Sequence, residues 1–229
     1  MSVSADVIAS AASGTLTPGQ NLVWRSDLEP RALPASAKFT SSQLAILSAC
    51  VELFADQGYA ATSVRDIADV VGIKAASLYK SFRSKQAMLD ALSELGHTEF
   101  SRRQLAAVLS VGDDPREQLT AGMRALVLMT CEFPRLTRIV NHEVRNLSDQ
   151  GFARDQAARL QTSQVLHDVL ERGRTSGVFR VPDEAALTVL FWGLGVALSS
   201  WYPYTHDVQA EPLADSYADI ALRIVGARE

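Results

Sequence analysis

Residues 41–92 decide the fold, and they read SSQLAILSACVELFADQGYAATSVRDIADVVGIKAASLYKSFRSKQAMLDAL. The stretch holds three short amphipathic segments, which Gly58 and Gly72 separate. In the first segment the apolar residues recur at spacings of three and four, which places them on one face of a helix. Glycine readily follows the end of a helix because it adopts backbone angles that other residues avoid. The stretch therefore predicts three consecutive helices.

The second and third segments have their own start and stop signals. Ser63 stands where a helix N-cap belongs, and Asp66, three residues later, can complete a capping box with it. Gly72 ends this helix after about two turns, and the next helix follows almost at once with Leu78 and Phe82 as its buried pair. Two short helices joined by a tight glycine turn indicate a helix-turn-helix motif.

A helix-turn-helix gives its second helix a defined role. That helix enters a major groove, so its outward side chains must be small, polar or basic. Residues 74–82 meet this demand. Lys85 follows the cap-like Ser84 at the start of a longer helix, where its charge and the free backbone N–H groups suit a phosphate. The motif therefore predicts binding to double-stranded DNA.

The order of motifs T-S-V-R-D-I-A, V-V-G-I, S-L-Y-K-S-F and K-Q-A-M-L resembles the DNA-binding domain of TetR-family transcriptional regulators. The resemblance covers residue 40 to about residue 92. It implies an all-α fold of about nine helices, with a helix-turn-helix head and a helical domain for ligand binding and dimerisation. The expected divisions are a flexible N-terminal extension at 1–38, a DNA-binding domain at 39–86, and a ligand-binding and dimerisation domain at 87–229. Within the extension, Trp24 is an exception, because a lone tryptophan in a polar tail often docks somewhere.

The resemblance carries DNA contacts onto ten positions. Lys74, Ala75 and Ser77 open the recognition helix, where relatives touch base edges, and Arg65 on the preceding helix is a further base reader. The other six positions are expected to contact the DNA backbone: Thr40, Ser41, Thr62, Tyr79, Lys80 and Lys85.

The stretches E-V-R-N-L, L-E-R-G-R-T-S-G-V-F and F-W-G-L-G-V-A-L-S-S-W-Y lie within roughly residues 138–204. They carry a second, looser resemblance, to the TetR-type repressors of fatty-acid and steroid breakdown that respond to acyl-CoA thioesters. It implies an apolar interior for the acyl group and arginines for coenzyme A, with ordinary core packing and solvated arginines as the alternative. The apolar candidates are Met123, Val127, Phe133, Ile139, Phe152, Phe191 and Trp192, and the basic candidates are Arg138, Arg145 and Arg159.

The last two predicted helices, at 183–200 and 212–226, are apolar on more than one face. One face can pack on the core while another packs on a second copy, which predicts a two-fold homodimer through a four-helix contact. The candidate interface residues are Leu187, Leu190, Leu194, Leu198, Tyr217, Ile220 and Ile224.

Composition limits the remaining possibilities. The net charge is −4, yet residues 38–85 carry six basic and four acidic side chains, whereas residues 86–229 carry 14 and 19. The basic balance therefore falls where DNA contacts are needed. The two cysteines lie in apolar surroundings and suit a reducing cytosol, and no apolar run reaches the ~20 residues of a membrane span. A cytoplasmic protein with no membrane contact is expected.

Enzymatic signatures are incomplete. His142 and Glu143 begin a zinc-protease motif, but Asn146 stands where the second histidine belongs. The sequence also lacks a glycine-rich phosphate loop and a nucleophile elbow, so no metal or cofactor is expected. The predicted function is a homodimeric repressor that binds a palindromic operator and is released by a small molecule. Two alternatives stay open, a DNA-binding dimer that needs no ligand and a helical enzyme.

Overall fold

The computed structural model describes residues 30–202 and 208–227. Within these ranges the chain forms nine α-helices and one 3-10 turn and contains no β-strand. The all-α prediction is therefore confirmed, whereas the expected docking of Trp24 lies outside the described residues.

We call α1 to α3 the head and α4 to α9 the body. The head comprises α1 (Ser41–Gln57), α2 (Val64–Val71) and α3 (Ala75–Ser81). The body comprises α4 (Lys85–Leu109), α5 (Pro115–Glu132), α6 (Pro134–His142), a 3-10 turn (Val144–Asn146), α7 (Asp149–Thr175), α8 (Glu184–Trp201) and α9 (Ala210–Ile224).

Local capping contacts fix the boundaries of the head helices. The backbone N–H of Ser63 donates to Asp66 Oδ2 at 2.7 Å, and Ser63 Oγ accepts from the Asp66 backbone N–H at 3.1 Å, so the predicted capping box is present. Gly72 follows α2 in the left-handed region, with φ of 74°, and turns the chain directly into α3. Ile67 and Leu78 are fully buried between the three helices.

Helix α4 joins the head to the body. Its 25 residues span about 37 Å and pack against α5, α6 and α7. A Cβ atom on Gly96 would lie 2.7 Å from Val140 Cγ2 of α6, so glycine is required where the two helices approach most closely. Any shift of α6 therefore presses directly on α4.

Helix α8 packs against α5, α6 and α7, while α9 packs mainly on α5. Among the described residues, α8 is the one helix long and apolar enough to span a membrane by length and composition. Its Phe191 and Leu198 side chains are nevertheless fully buried in the body. The apolar character of α8 thus reflects core packing on one side and an uncovered apolar face on the other.

The sequence predicts a flexible extension up to residue 38, but the described residues 30–38, which we call the strap, pack on the body. The backbone N–H of Arg31 donates to the carbonyl oxygen of Glu132 at 2.8 Å. Ser36 Oγ donates to Glu99 Oε2 at 2.5 Å. These contacts fix the strap to the middle of α4 and the end of α5, so the boundary at 38 is corrected for these residues.

Candidate nucleic-acid interface and interior cavity

Helix α3 is anchored by one face and presents the other to solvent. Leu78 is fully buried, whereas Ser77, Tyr79 and Lys80 are exposed. Lys74 is the exposed N-cap residue of α3. A short helix with two hydroxyl and two ammonium groups on its outer side has the chemistry of a recognition helix.

The other predicted contacts differ in what they can offer. Arg65, in the first turn of α2, and Ser41, at the start of α1, are exposed. Thr40 is also exposed, but its hydroxyl oxygen already accepts a hydrogen bond from the Gln43 backbone N–H at 3.3 Å. Ala75 packs partly against the core and presents no polar group.

The ammonium of Lys85 binds inside the head. Its Nζ donates to the carbonyl oxygens of Tyr59 and Thr62, each at 2.6 Å, and lies 4.1 Å from the centre of the Tyr59 ring. Both carbonyls belong to the turn between α1 and α2. Two of the three ammonium donors are thus used to hold this turn on the start of α4. The predicted phosphate contact of Lys85 is corrected to a structural role.

Thr62 is also removed from the candidate interface, because its side chain is only 1% exposed. Its hydroxyl donates to the carbonyl oxygen of Gly58 at 2.9 Å and accepts from Gln57 Nε2 at 3.2 Å. These bonds close the C-terminal end of α1. The predicted backbone contact of Thr62 is therefore wrong for this conformation.

An interior cavity of about 30 Å³ lies between α4, α5, α6 and α8. This volume is that of a single water molecule. Trp192 of α8 borders the cavity, and its indole N–H is buried without a hydrogen-bond partner among the described residues. The other bordering residues are Gly96, His97, Phe100, Met129, Leu136, Thr137, Val140 and Asn141.

Most of the predicted apolar ligand residues lie elsewhere. Trp192 borders the cavity as predicted. Ile139 faces a cleft between the end of α1 and α6, and Phe152 of α7 is 47% exposed. The remaining four form fully buried core away from the cavity, which was the alternative interpretation: Met123, Val127, Phe133 and Phe191.

The three predicted arginines do not meet at the cavity. Arg159 Nε donates to Asp155 Oδ2 at 2.7 Å, and its Nη2 donates to the carbonyl oxygen of Val140 at 2.9 Å, so it ties α7 to α6. Arg138 is exposed at the cleft beside α1, and Arg145 is exposed on the 3-10 turn. The assignment of Arg159 to coenzyme A is therefore corrected to a structural role.

A buried polar cluster adjoins the cavity through His97. Asp155 Oδ1 lies 2.8 Å from both Ser93 Oγ and His97 Nε2, and His97 borders the cavity. Burial alone would raise the pKa of Asp155, but hydrogen bonds from His97, Arg159 and Ser93 outweigh it and hold that pKa well below its usual range. The cavity thus has an ionised carboxylate directly behind its wall. The signal in the sequence is the Asp155–Arg159 spacing of four residues on one helix.

Helix α6 connects the cavity to the head. One face of α6 lines the cavity. From another face, Arg135 forms ion pairs with Glu52 at 3.2 Å and with Asp56 at 3.3 Å, both on α1. Just past the end of α6, Glu143 Oε1 accepts a hydrogen bond from the Tyr59 backbone N–H at 3.4 Å. A displacement of α6 therefore changes the contacts that hold α1 of the head.

The outer faces of α8 and α9 are apolar and largely uncovered. Leu190, Ile220 and Ile224 are 45%, 47% and 40% exposed. Leu187, Leu194 and Tyr217 are half-buried, and Val189 is an exposed neighbour that the sequence prediction omitted. Leu198 is fully buried beside Val127 and Tyr202, so its predicted interface role is corrected to core packing.

With the head and the cavity described, comparisons with known proteins define the class. The family described as bacterial regulatory proteins, tetR family, matches residues 46–92, and the tetracyclin repressor-like C-terminal domain matches residues 112–225. The HTH-type transcriptional repressor KstR2 of Mycolicibacterium smegmatis is 31% identical over 192 residues, which cover 82% of this chain and 90% of that protein.

Solved structures agree with these sequence matches. A regulatory protein of the tetR family from Rhodococcus RHA1 has a TM-score of 0.78 and 28% identity, covering 83% of this chain and 100% of that chain. The ketosteroid transcriptional regulator KstR2 of Mycobacterium tuberculosis has a TM-score of 0.77 and 26% identity, covering 87% of this chain and 100% of that chain.

The chain belongs to the TetR family of bacterial regulatory proteins. It is a DNA-binding transcriptional repressor of the helix-turn-helix type, and the resemblance first seen in residues 40–92 is confirmed. The looser resemblance to repressors of steroid breakdown is confirmed through the KstR2 relatives. Because these relatives are regulators, the helical-enzyme alternative is wrong.

Proposed function

We propose that the chain acts in the cytoplasm as a homodimer that binds a palindromic DNA operator and is released by a small-molecule effector. The observation that carries this proposal is the position of α6, which lines the interior cavity on one side and holds α1 of the head on the other. An effector that enters the cavity acts on the same helix that orients the DNA-binding head.

The DNA contacts of the proposal follow from the exposed residues of the head. Arg65, Lys74 and Ser77 read base edges, and Ala75 offers a methyl group to a thymine. Ser41, Tyr79 and Lys80 contact the DNA backbone, where they set orientation rather than sequence preference. Thr40 acts indirectly, because its hydroxyl serves as the N-cap that fixes the start of α1.

The dimer of the proposal uses the uncovered faces of α8 and α9. Pairing these faces across a two-fold axis forms a four-helix contact and removes exposed leucine and isoleucine side chains from water. The two recognition helices then lie on one side of the dimer. Binding two successive major grooves requires them to be about 34 Å apart, which sets the half-site spacing of the operator.

The proposed effector is an acyl-CoA thioester with a large apolar, steroid-like acyl group. Two observations support this class: the mainly apolar lining of the cavity, and the 31% identity to a KstR2 repressor, a protein whose relative is described as a ketosteroid regulator. The buried N–H of Trp192 suits a carbonyl or hydroxyl oxygen of the ligand. Arg138 and Arg145, exposed on α6 and on the turn after it, stay the candidates for the coenzyme A phosphates.

The small volume of the cavity explains how an effector would release the protein from DNA. A cavity of about 30 Å³ cannot hold an acyl chain, so binding requires α4, α6 and α8 to move apart. The ligand therefore binds more tightly to a conformation in which α6 is displaced and the heads are no longer spaced for the operator. A preference of about 5.5 kcal/mol for that conformation converts a 1:99 population into 99:1.

A second candidate function is a DNA-binding dimer that needs no ligand. The small volume of the cavity favours it, since a closed core can serve packing alone. The two candidates share every DNA contact and differ only in the response of operator affinity to added ligand.

The DNA-binding part of the proposal is tested by selecting operator duplexes from a random pool with purified protein. We expect an enriched palindrome for the wild type. Arg65→Ala and Ser77→Ala should relax the preference at particular base pairs by about 1–3 kcal/mol each, whereas Lys80→Ala should weaken binding to all duplexes alike. Absence of any enriched palindrome would overturn the proposal.

A further inference from the structure

An open groove of about 740 Å³ runs along the α4–α5 pair and adjoins the interior cavity at Met129. Its floor consists of partly exposed small and apolar side chains from both helices. Those that matter here are Ala107 of α4, Val111 of the turn after α4, and Ala121, Ala125 and Leu128 of α5. Contiguous exposed apolar surface of this kind usually marks a binding site.

The strap runs toward this groove. Ser36 contacts α4 at Glu99, and five residues earlier Arg31 contacts the end of α5 through Glu132. Glu132 Oε2 in turn lies 2.5 Å from Arg103 Nη1, and Arg103 borders the groove. From residue 36 to residue 31 the chain thus approaches the groove, and Arg31 lies beside Glu132, whose carboxylate pairs with Arg103 at one end of the groove.

The sequence before residue 30 has the chemistry that the groove accepts. Residues 22–24 read Leu-Val-Trp, and Leu28 follows four residues later. A buried tryptophan covers about 150–250 Å² of apolar surface, which an open floor of alanine, valine and leucine can supply.

The length of the groove also matches the reach of the segment before residue 30. The groove extends from Arg103 of α4 to Val111, just past the end of α4, a distance of about 12 Å at the rise of a helix. Seven extended residues between Trp24 and Arg31 reach up to about 24 Å, so Trp24 can be placed at any point of the groove.

We propose that this groove is the docking site for residues 22–28 of the same chain, with the Trp24 side chain on its apolar floor. Docking continues the strap along the α4–α5 pair and covers apolar surface that is otherwise exposed to water. Arg103 and Ala107 continue the face of α4 that carries the cavity residues Gly96 and Phe100, so docking braces the two helices next to the cavity. The inference does not depend on DNA binding or on the effector.

Limited trypsin digestion of the full chain tests the proposal, because Arg25 lies within the docked segment. Proteolysis follows the population of the undocked form. We expect Ala121→Glu, which places a carboxylate on the groove floor, to speed cleavage after Arg25 by about tenfold, as followed by intact mass. The matched control is Ala106→Glu, at an exposed α4 position outside the groove, and it should leave the rate unchanged.

A second variant approaches the contact from the other side. Trp24→Ala should speed the same cleavage as much as Ala121→Glu, and the double variant should add little, because either change alone removes the contact. Equal cleavage after Arg25 in the wild type and in both variants would overturn the proposal. If Ala121→Glu instead lowers the particle mass in light scattering while the cleavage rate stays constant, the groove joins two copies and the proposal is equally overturned.

Discussion

Arg135 of α6 forms an ion pair with Asp56 of α1 at 3.3 Å, so the helix that lines the interior cavity also holds the DNA-binding head. The pair lies on the opposite side of α6 from the cavity residues Leu136 and Val140. Together with the Glu143–Tyr59 hydrogen bond, it provides a short physical route between two sites that do not touch.

Removing this link should uncouple the head from the cavity. The variant Arg135→Ala combined with Glu143→Gln should keep operator affinity within about threefold, because exposed ion pairs contribute only about 0–1 kcal/mol to stability. The release by effector should weaken by about five- to tenfold, since coupling between sites is typically 1–3 kcal/mol. Titrating operator complexes with choloyl-CoA, the thioester used as a probe, measures both quantities.

The matched control for this uncoupling is Arg154→Gln, which removes an exposed arginine of α7 whose ion pair at 3.7 Å is with Glu94 of α4 and not with the head. If it changes release as much as the double variant, general charge rather than the α6 link controls the response. Full release by the double variant would contradict the proposed route.

Variants at Lys85 and Lys80 should have different effects, the first on stability and the second on DNA binding. Lys85→Met removes two charge-assisted bonds to the α1–α2 turn and should lower the free energy of unfolding by about 1.5–3 kcal/mol. Lys80→Met should leave stability unchanged but lower the slope of log affinity against log salt by about one per head. Urea unfolding and salt titration of operator binding measure the two effects. A stable Lys85→Met protein with a reduced salt slope would restore Lys85 as a phosphate contact.

The free energy of unfolding should depend on pH through the carboxyl group of Glu99. Burial by itself raises its pKa, but hydrogen bonds from Arg102, Ser36 and Arg103 outweigh burial and lower the pKa from 4.5 to about 2. A carboxyl group with a lowered folded pKa stabilises the fold above its unfolded pKa and loses that contribution as pH falls toward the folded pKa. The stability advantage of wild type over Glu99→Gln should therefore be largest above pH 4.5 and shrink toward pH 2.

Urea unfolding between pH 6 and pH 3 measures this difference. Glu94→Gln, which removes an exposed α4 carboxylate paired with Arg154 at 3.7 Å, serves as the control and should show no such trend. A constant gap between wild type and Glu99→Gln across the range would show that Glu99 acts through packing alone.

The α8–α9 face should carry the dimer. Ile220→Glu places like charges close to the two-fold axis without touching the core, so the dimer dissociation constant should rise by at least about tenfold. Leu160→Glu makes the same kind of change on the exposed surface of α7 and should leave the dimer intact. Light scattering over a dilution series distinguishes the two, and an intact Ile220→Glu dimer would place the interface elsewhere.

The head was predictable because its signals are local. The capping box of Ser63 and Asp66 and the turn at Gly72 act within a few residues, so spacing alone locates α2 and α3. The cavity was not predictable in this way, since its wall arises where Gly96 lets α6 approach α4 and where Trp192 of α8 packs on Phe100 of α4. Helical periodicity placed Phe191 and Met123 on the inner faces of their helices, but it could not show whether an inward side chain packs in the core or borders the cavity.

Lys85 shows the same limit for a charged residue. Its place at the start of a helix suits a phosphate, and no feature of the sequence reveals that two carbonyls of the α1–α2 turn lie 2.6 Å from its ammonium. The arginine at position 159 was equally ambiguous, although Asp155 four residues earlier was a visible partner.

The most direct test is the affinity of the full chain for its selected operator, measured with increasing choloyl-CoA, palmitoyl-CoA, coenzyme A alone and the two matching free acids. An effector-released repressor predicts that operator affinity falls by about a hundredfold or more with a thioester and stays constant with coenzyme A and with the acids. Constant operator affinity at saturating concentrations of every compound would contradict effector release and establish the ligand-independent DNA-binding dimer.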